Sequence, residues 1–406
     1  MNILKKFKAA AALVVLVAVL AGCGKLNFSS DASSTTTSGS GTSTSKYQTT
    51  GSVNSDMYQG VIQNGSYKTS SARGLTIDTN TQGSNTYNIK SMESGLQSIS
   101  MQHFSTSKYS LEEGQLLSTA TAKSWLMRKA ATTKSTALVS EGPDGLNPSQ
   151  YKNGEKGAVI ANFQTAKPEY LATILEQDYM QASGKSMKLG GISIALGMNE
   201  YYYYQKKQYG ATYSTKISQA DLEKYGKQMA ATVVKRIRKM SGVSSTTPIV
   251  VALYKNADQD SLVGGTFFAS TTSESGNSLN SWKSINEKNQ VLPVVENEKA
   301  VNSTVSNDFS NFSDAIENFF PTLAGVTAQT HYESGQLTGM NITINTQFYG
   351  LTEIESFTQY VATTAQKDLP SGAKIEIQIQ STGGIQAFVA RESGEKSFYT
   401  HVFGSY

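Results

Sequence analysis

One thiol and a small set of carboxylates and phenols are the side chains whose placement points to chemistry. Cys23 is the single cysteine among 406 residues, and it directly follows Leu20-Ala21-Gly22. Before it, three lysines (Lys5, Lys6, Lys8) lead into an uninterrupted apolar run from Ala9 to Leu20. A basic start, a short apolar stretch and small residues make a cleavable export signal. The run falls short of the ~20 residues that a permanent spanning helix needs. Small residues ahead of a cysteine let a lipoprotein signal peptidase approach the backbone, and the thiolate is nucleophilic enough to take a diacylglyceryl group before cleavage. Cys23 is therefore expected to be the lipidated first residue of the mature protein. The plainer alternative is a structural cysteine buried just after an ordinary signal. A lone cysteine allows no intrachain disulfide, so an exported body has to be held together by its core.

A second candidate set is Glu176, Asp178 and Tyr179 together with Tyr201 and Tyr203. Paired carboxylates can serve as acid and base, and tyrosines can stack on sugars or peptides while their hydroxyls hydrogen-bond, so these five residues could line a ligand cleft. The bland reading puts the carboxylates on a solvated edge and lets alternate tyrosines of a strand face core and water. Other signatures fail. His103, His331 and His401 stand alone, with no two at the spacing of metal ligands. Gly184-Lys185-Ser186 imitates the end of a phosphate-binding loop but has Tyr179 where the first glycine must make room. Ser105-x-x-Lys108 and Ser371-x-x-Lys374 lack the companion motifs of penicillin-recognising enzymes. No cofactor or metal is expected.

The elements that would position these residues follow from composition and periodicity. From about Ser29 to Ser55 the chain is almost entirely Ser, Thr and Gly, without the apolar surface that offsets ordering entropy. Residues 23–56 thus read as a lipidated cysteine and disordered tether, with a reach of about 30 Å for roughly 30 residues. Residues 57–157 read as a helical N-terminal segment, with helices over Ile89–Phe104 and around Leu116–Leu126. Two copies of one pattern follow, in 158–275 and 309–406, joined by a polar connector over 276–308. In the first copy come the strand Ile192–Leu196, a capping box at Ser218-Gln219-Ala220-Asp221 and the helical stripe Leu222, Tyr225, Met229, Val233, Ile237. A strand Pro248–Tyr254, the pair Gly264-Gly265 and a strand Thr266–Thr271 complete it. In the second the same order runs through Ile342–Thr346, Thr352-Glu353-Ile354-Glu355, the stripe Ile354, Phe357, Val361, Ala365, then Ile375–Ile379, Gly383-Gly384 and Ile385–Ala390. Further material precedes each copy, Tyr170–Met180 and a helical segment with Phe312, Ala315, Ile316, Phe319 and Phe320. The fold class is α+β, two β-α-β-β units with mainly antiparallel sheets, each with one buried and one wet face. The formal charge of +4 includes the signal's lysines, which leaves no electrostatic case for nucleic acid. The one dense basic run, Lys235–Lys239, sits where cations oppose a helix dipole.

The series Leu20-Ala21-Gly22-Cys23, Glu113-Gly114-Gln115, Trp125-Leu126 with Arg128, Gly145-Leu146-Asn147-Pro148, Glu176-Gln177-Asp178-Tyr179 and Gly191–Leu196 resembles the CamS family of sex-pheromone lipoproteins of Gram-positive bacteria, over about 57–406. The resemblance implies a protein anchored through lipid on the outer face of the cell membrane. Lipoprotein-processing enzymes would trim its cleaved signal to a hydrophobic peptide sensed by recipient cells. It implies two repeats and no catalytic residue, so the body is expected to bind an envelope ligand or to serve structure. The competing expectations are a cell-envelope hydrolase using Glu176 and Asp178, and a solute-binding lipoprotein.

Overall fold

The computed structural model describes residues 46–75, 86–130, 141–149, 168–205, 209–295, 298–319 and 323–404. The signal, Cys23, most of the tether, the 157/158 boundary and Phe320 lie outside them.

The described chain begins with order where a tether was expected. β1 (Tyr47–Thr49) pairs antiparallel with β2 (Val61–Gln63), and β2 with β3 (Ser66–Tyr67). Tyr47 is the one aromatic residue of the Ser/Thr/Gly run, and Gln63 Nε2 donates to its hydroxyl at 3.0 Å. Helix α1 (Thr86–Met101) follows.

From β4 onward the chain is an eight-element unit written twice. The first copy is β4 (Ser110–Glu113), α2 (Thr119–Leu126), β7 (Leu171–Ser183), β8 (Ser186–Asn199), α3 (Gln219–Ile237), β11 (Ile249–Asn256), β12 (Thr266–Ser273) and β13 (Lys283–Ser284). Two small additions interrupt it, β5 (Arg128–Lys129) with β6 (Glu141–Gly142), and the hairpin of β9 (Tyr201–Gln205) with β10 (Thr212–Lys216). The second copy is β14 (Glu287–Leu292), α4 (Ser303–Glu317), β15 (Leu323–Glu333), β16 (Gln336–Thr346), α5 (Leu351–Asp368), β17 (Lys374–Ser381), β18 (Gly384–Arg391) and β19 (Tyr399–Val402). The six-stranded sheets have matching orders, β4-β7-β8-β11-β12-β13 and β14-β15-β16-β17-β18-β19. In each, the central pair joined by a crossover helix is parallel, with Ile194 opposite Val251 and Ile342 opposite Ile377, and the other pairs are antiparallel. The class is α+β, and the expected β-α-β-β order is the middle of a longer repeat.

The boundaries move accordingly. Residues 57–157 are not a separate helical segment, because β4 is an edge strand of the first sheet and α2 packs against β7. Nor is 276–308 a linker: β13 completes one sheet and β14 opens the next, with Ile285 and Asn286 between them.

Each sheet buries one face under its crossover helix. Leu222, Met229, Val233 and Ile237 of α3 cover Ile192, Ile194, Val251 and Leu253, while Phe357, Val361 and Ala365 of α5 with Phe309, Phe312 and Ile316 of α4 cover Ile342, Ile344, Ile377 and Val389. Ser218 Oγ accepts the Asp221 N–H (3.1 Å), as the capping box requires. At the second helix Gly350 takes the cap position with no side-chain bond, and Thr352 already lies inside the first turn.

The opposite faces differ. On the second sheet Glu376 and Gln378 face water, as period 2 predicts. On the first sheet that face is buried under α1, whose Met92, Leu96 and Ile99 pack on Ala195, Val250, Ala252, Tyr254 and Phe267. The small residues alternating with isoleucine in β8 give the helix room. A Cβ on Gly191 would stand 2.2 Å from the Phe104 ring, and one on Gly197 2.8 Å from the Met92 methyl.

Candidate functional site

Because β7 alternates faces, Glu176 and Asp178 point one way and Gln177 and Tyr179 the other. Gly114 passes so close that a Cβ there would lie 2.4 Å from the Glu176 side chain. The segment after it is held by the two acids. Glu176 Oε1 and Oε2 accept the Leu116 and Leu117 N–H groups (2.9 and 2.8 Å), and Asp178 Oδ2 accepts that of Gln115 (2.9 Å). The residues are 4% and 3% exposed. Burial raises both carboxyl groups above their ordinary range; the backbone donors oppose this, and the Glu176 charge pushes Asp178 up further. Their cross-strand neighbour Glu112 is buried and raised as well. Asp178 Oδ1 has no hydrogen-bond partner among the described residues. The arrangement is a clamp on residues 114–117, which lead into the Ser118 cap of α2, and both carboxylates are closed off from solvent. Tyr179 lies on the far side, fully buried, stacked on Phe104 at 4.5 Å with its hydroxyl donating to Gln177 Oε1 (3.0 Å). The five-residue cleft expected from the sequence is therefore not assembled: Glu176 and Asp178 are part of the scaffold, and Tyr179 is core.

The tyrosine run does alternate. Tyr202 and Tyr204 are buried, and the Tyr202 hydroxyl accepts from Arg128 Nη2 (3.2 Å). Tyr201 and Tyr203 face outward. Tyr203 donates to Asp258 Oδ1, and Tyr201 lines an open cleft of about 540 Å³ where the two sheets meet, with Lys255, Asp258, Asp260, Glu287 and Asn289. A neighbouring recess of about 490 Å³ lies at the start of α3 beside Lys216. Glu200 borders both, 3.4 Å from Lys216 Nζ and 3.6 Å from Lys255 Nζ.

The cleft floor is a polar seam between the units. Glu287 Oε2 accepts the Phe267 N–H (2.8 Å), and Asn289 Nδ2 donates to the carbonyls of Gly264 and Gly265 (2.9 and 3.0 Å). Asn289 Oδ1 lies 2.6 Å from His331 Nδ1. Burial pushes Glu287 up to about 7 against the Phe267 donor, with the Glu333 charge adding to the rise, and it pulls His331 down. Sequence reading missed these residues because 276–308 looked like a polar linker. Glu287-Lys288-Asn289-Gln290-Val291-Leu292 carries no apolar/polar alternation that would mark a strand; the alternation appears only in the burial of the folded chain, with Gln290 and Leu292 inside. No described group of three or more His, Cys, Asp or Glu side chains is arranged to hold a metal.

A third polar assembly explains the remaining short motifs. Arg128, fully buried, reaches Glu169 Oε1 (3.2 Å) and donates to the Pro148 carbonyl (3.0 Å). Asn147, also fully buried, donates to the carbonyls of Leu126 and Leu171 (2.7 and 2.9 Å) and accepts the Leu171 N–H (2.9 Å). A Cβ on Gly145 would stand 2.3 Å from the Arg128 carbonyl oxygen. At the end of α3, Arg236 stacks on Trp125 (5.2 Å) and donates to the Asp144 carbonyl (2.7 Å), while Arg238 gathers the Gly276, Ser244 and Ser273 carbonyls. The basic run is thus engaged in closing a helix end.

Duplicated six-stranded sheets, each backed by a crossover helix and meeting at a polar cleft, define a tandem-repeat α+β protein whose buried polar residues clamp loops. The family model described as CamS sex pheromone cAM373 precursor matches residues 67–397, and the chain belongs to that family. It is similar to the crystal structure of a sex pheromone precursor from Lactobacillus salivarius subsp. salivarius, with 45% identity, 89% of this chain and 100% of that one covered, and a TM-score of 0.79. It is also similar to the C-terminal domain of the sex pheromone staph-cAM373 precursor from Staphylococcus aureus, with 28% identity, 81% and 100% covered, and a TM-score of 0.67. No curated protein matches it.

Proposed function

We propose that this chain is a lipoprotein held on the outer face of the cell membrane through Cys23, and that its cleaved signal is processed to a hydrophobic peptide pheromone. The observation that carries the reading is Leu20-Ala21-Gly22-Cys23 at the end of the apolar run, in a member of a family of pheromone precursors. The eight residues before the cysteine, Val15 to Gly22, are uncharged and apolar or small. Their Val and Leu side chains, at about 1.5–3 kcal/mol each when buried, would drive the fragment into an apolar receptor pocket, with side-chain shape setting specificity. Acyl chains, at about 0.8 kcal/mol per buried methylene, would supply the anchor; no described helix is long and apolar enough to cross a membrane. The body is a non-catalytic module for an envelope ligand. The sequestered state of Glu176 and Asp178 favours this over a hydrolase, and the open inter-unit cleft favours binding.

Two measurements test the reading. Cys23→Ala should move the protein from the membrane fraction to the medium, and full retention after a high-salt wash overturns the anchor. Mass spectrometry of spent medium should find fragments ending at Gly22. Their absence at sensitive detection limits overturns the pheromone and leaves the anchor standing.

A further inference from the structure

The two units match element for element, yet they treat one sheet face differently. In the first, α1 covers the face opposite the crossover helix. In the second, the segment 262–267 of the first unit touches the β14–β15 edge of that face, no described segment covers β16 to β19, and the residues there have changed character. The row that crosses β15 to β19 reads Thr327, Thr343, Gln378, Phe388, His401, each opposite the next in register. The adjoining row carries Gln329, Asn341 and Glu376 and ends at Tyr399.

Amides and hydroxyls therefore fill the middle, and aromatic rings gather at the β18–β19 end. Phe388 lies 5.7 Å from both Tyr399 and His401 and 6.0 Å from Phe403, measured between ring centres. Tyr399 is 62% exposed. Over β16 to β18 the charges are paired, Lys374 meeting Glu376 at 3.2 Å and Glu392 at 3.5 Å, and the further acids of this face, Glu333 and Glu287, lie at its far β14–β15 end. The face is also continuous with the inter-unit cleft, since Val291 of the cleft wall lies opposite Gln329, and Gln329 Nε2 donates to the Leu262 carbonyl of that wall.

A solvated sheet face would carry scattered polar and charged groups. Here, over β16 to β19, aromatic faces lie beside side chains that both donate and accept hydrogen bonds, and Lys374 is paired with its acidic neighbours. That combination complements an extended, uncharged, hydroxyl-rich polymer. We propose that the open face of the second sheet binds an uncharged glycan strand. Sugar C–H faces would stack on Phe388 and Tyr399, while Gln378, Thr343 and Asn341 bond the hydroxyl or acetamido groups, and the strand runs towards the cleft. The inference rests on the reading of the body as an envelope-binding module and names the ligand's class.

The test is co-sedimentation of the full chain, solubilised in mild detergent, with particles of chitin, an uncharged polymer of N-acetylglucosamine. The chain should sediment with chitin, resist high salt and be displaced by soluble N-acetylglucosamine oligomers. Tyr399→Ala, at an exposed edge position, should weaken retention about fivefold to tenfold without moving the thermal midpoint. Gln378→Ala should weaken it too, with unchanged folding. Absence of sedimentation, loss of it in salt, or full retention by both variants overturns the glycan site. Retention on isolated cell walls without retention on chitin also overturns it, and leaves the envelope-binding reading intact. Binding to phosphatidylglycerol vesicles that Tyr399→Ala abolishes makes the face a membrane contact and overturns it as well.

Discussion

At the scale of single residues, buried carboxylates decide how stability responds to pH. Glu287 has its folded value raised to about 7 from an ordinary 4.5. Its contribution is therefore fully present below about pH 4.5 and is lost as pH rises through about 7. Glu287→Gln keeps an oxygen for the Phe267 N–H and removes the titration. Urea unfolding should show wild type weakening more steeply than the variant between about pH 5 and 8, a difference of roughly 1–2 kcal/mol at the alkaline end after allowing for partial exposure. The Glu176–Asp178 pair has the same sign, both groups being raised. Asp178→Asn places a donor against Glu176 and keeps an acceptor for the Gln115 N–H, so it should hold or raise the thermal midpoint at neutral pH. Glu176→Gln has the opposite outcome, because one of its two backbone donors, Leu116 or Leu117, would face an NH₂ group. A loss of about 1–3 kcal/mol is expected.

At the scale of elements, close approach and capping set the costs. Gly191→Ala inserts a methyl 2.2 Å from a fully buried Phe104 ring, and should destabilise by about 1–3 kcal/mol. Ser218→Ala removes the cap of α3, for about 1 kcal/mol. Thermal melts of the two variants, measured together, check the ranking. Most of these elements were legible in the sequence. The stripes Leu222–Ile237 and Ile354–Ala365 and the alternating Ile375–Ile379 carry their periods openly, so the crossover helices and central strands could be placed. What resisted was the meaning of small residues. Ser193, Ala195 and Gly197 look like the wet side of a strand, but they are the space into which α1 packs. Periodicity cannot distinguish a small residue facing water from one facing a helix. The acidic pair failed for a related reason: a carboxylate chelating backbone N–H groups and a carboxylate lining a cleft have the same letters around them.

At the scale of the whole molecule, the seam is made by side chains of β14 reaching the loop and strand around Gly264–Phe267. Asn289→Ala removes two donors to that loop and the acceptor facing His331. It should loosen the units, so that limited proteolysis cuts near Ile285–Asn286 faster while each half keeps its own protected core. Failure of cleavage there, at unchanged overall stability, would show that other contacts hold the joint. The elements of each unit are also contiguous in sequence, 110–284 and then 287–402. A chain growing from its N-terminus can thus finish one sheet before the first residue of the other exists. Helix α1 is the exception. It is made before every strand it packs on, and Val250, Ala252 and Phe267, which complete its seat, are made some 150 residues after it. At roughly 5–20 residues per second, its apolar stripe waits for many seconds before its seat is complete, so this helix is the last part of the first unit to gain its full packing.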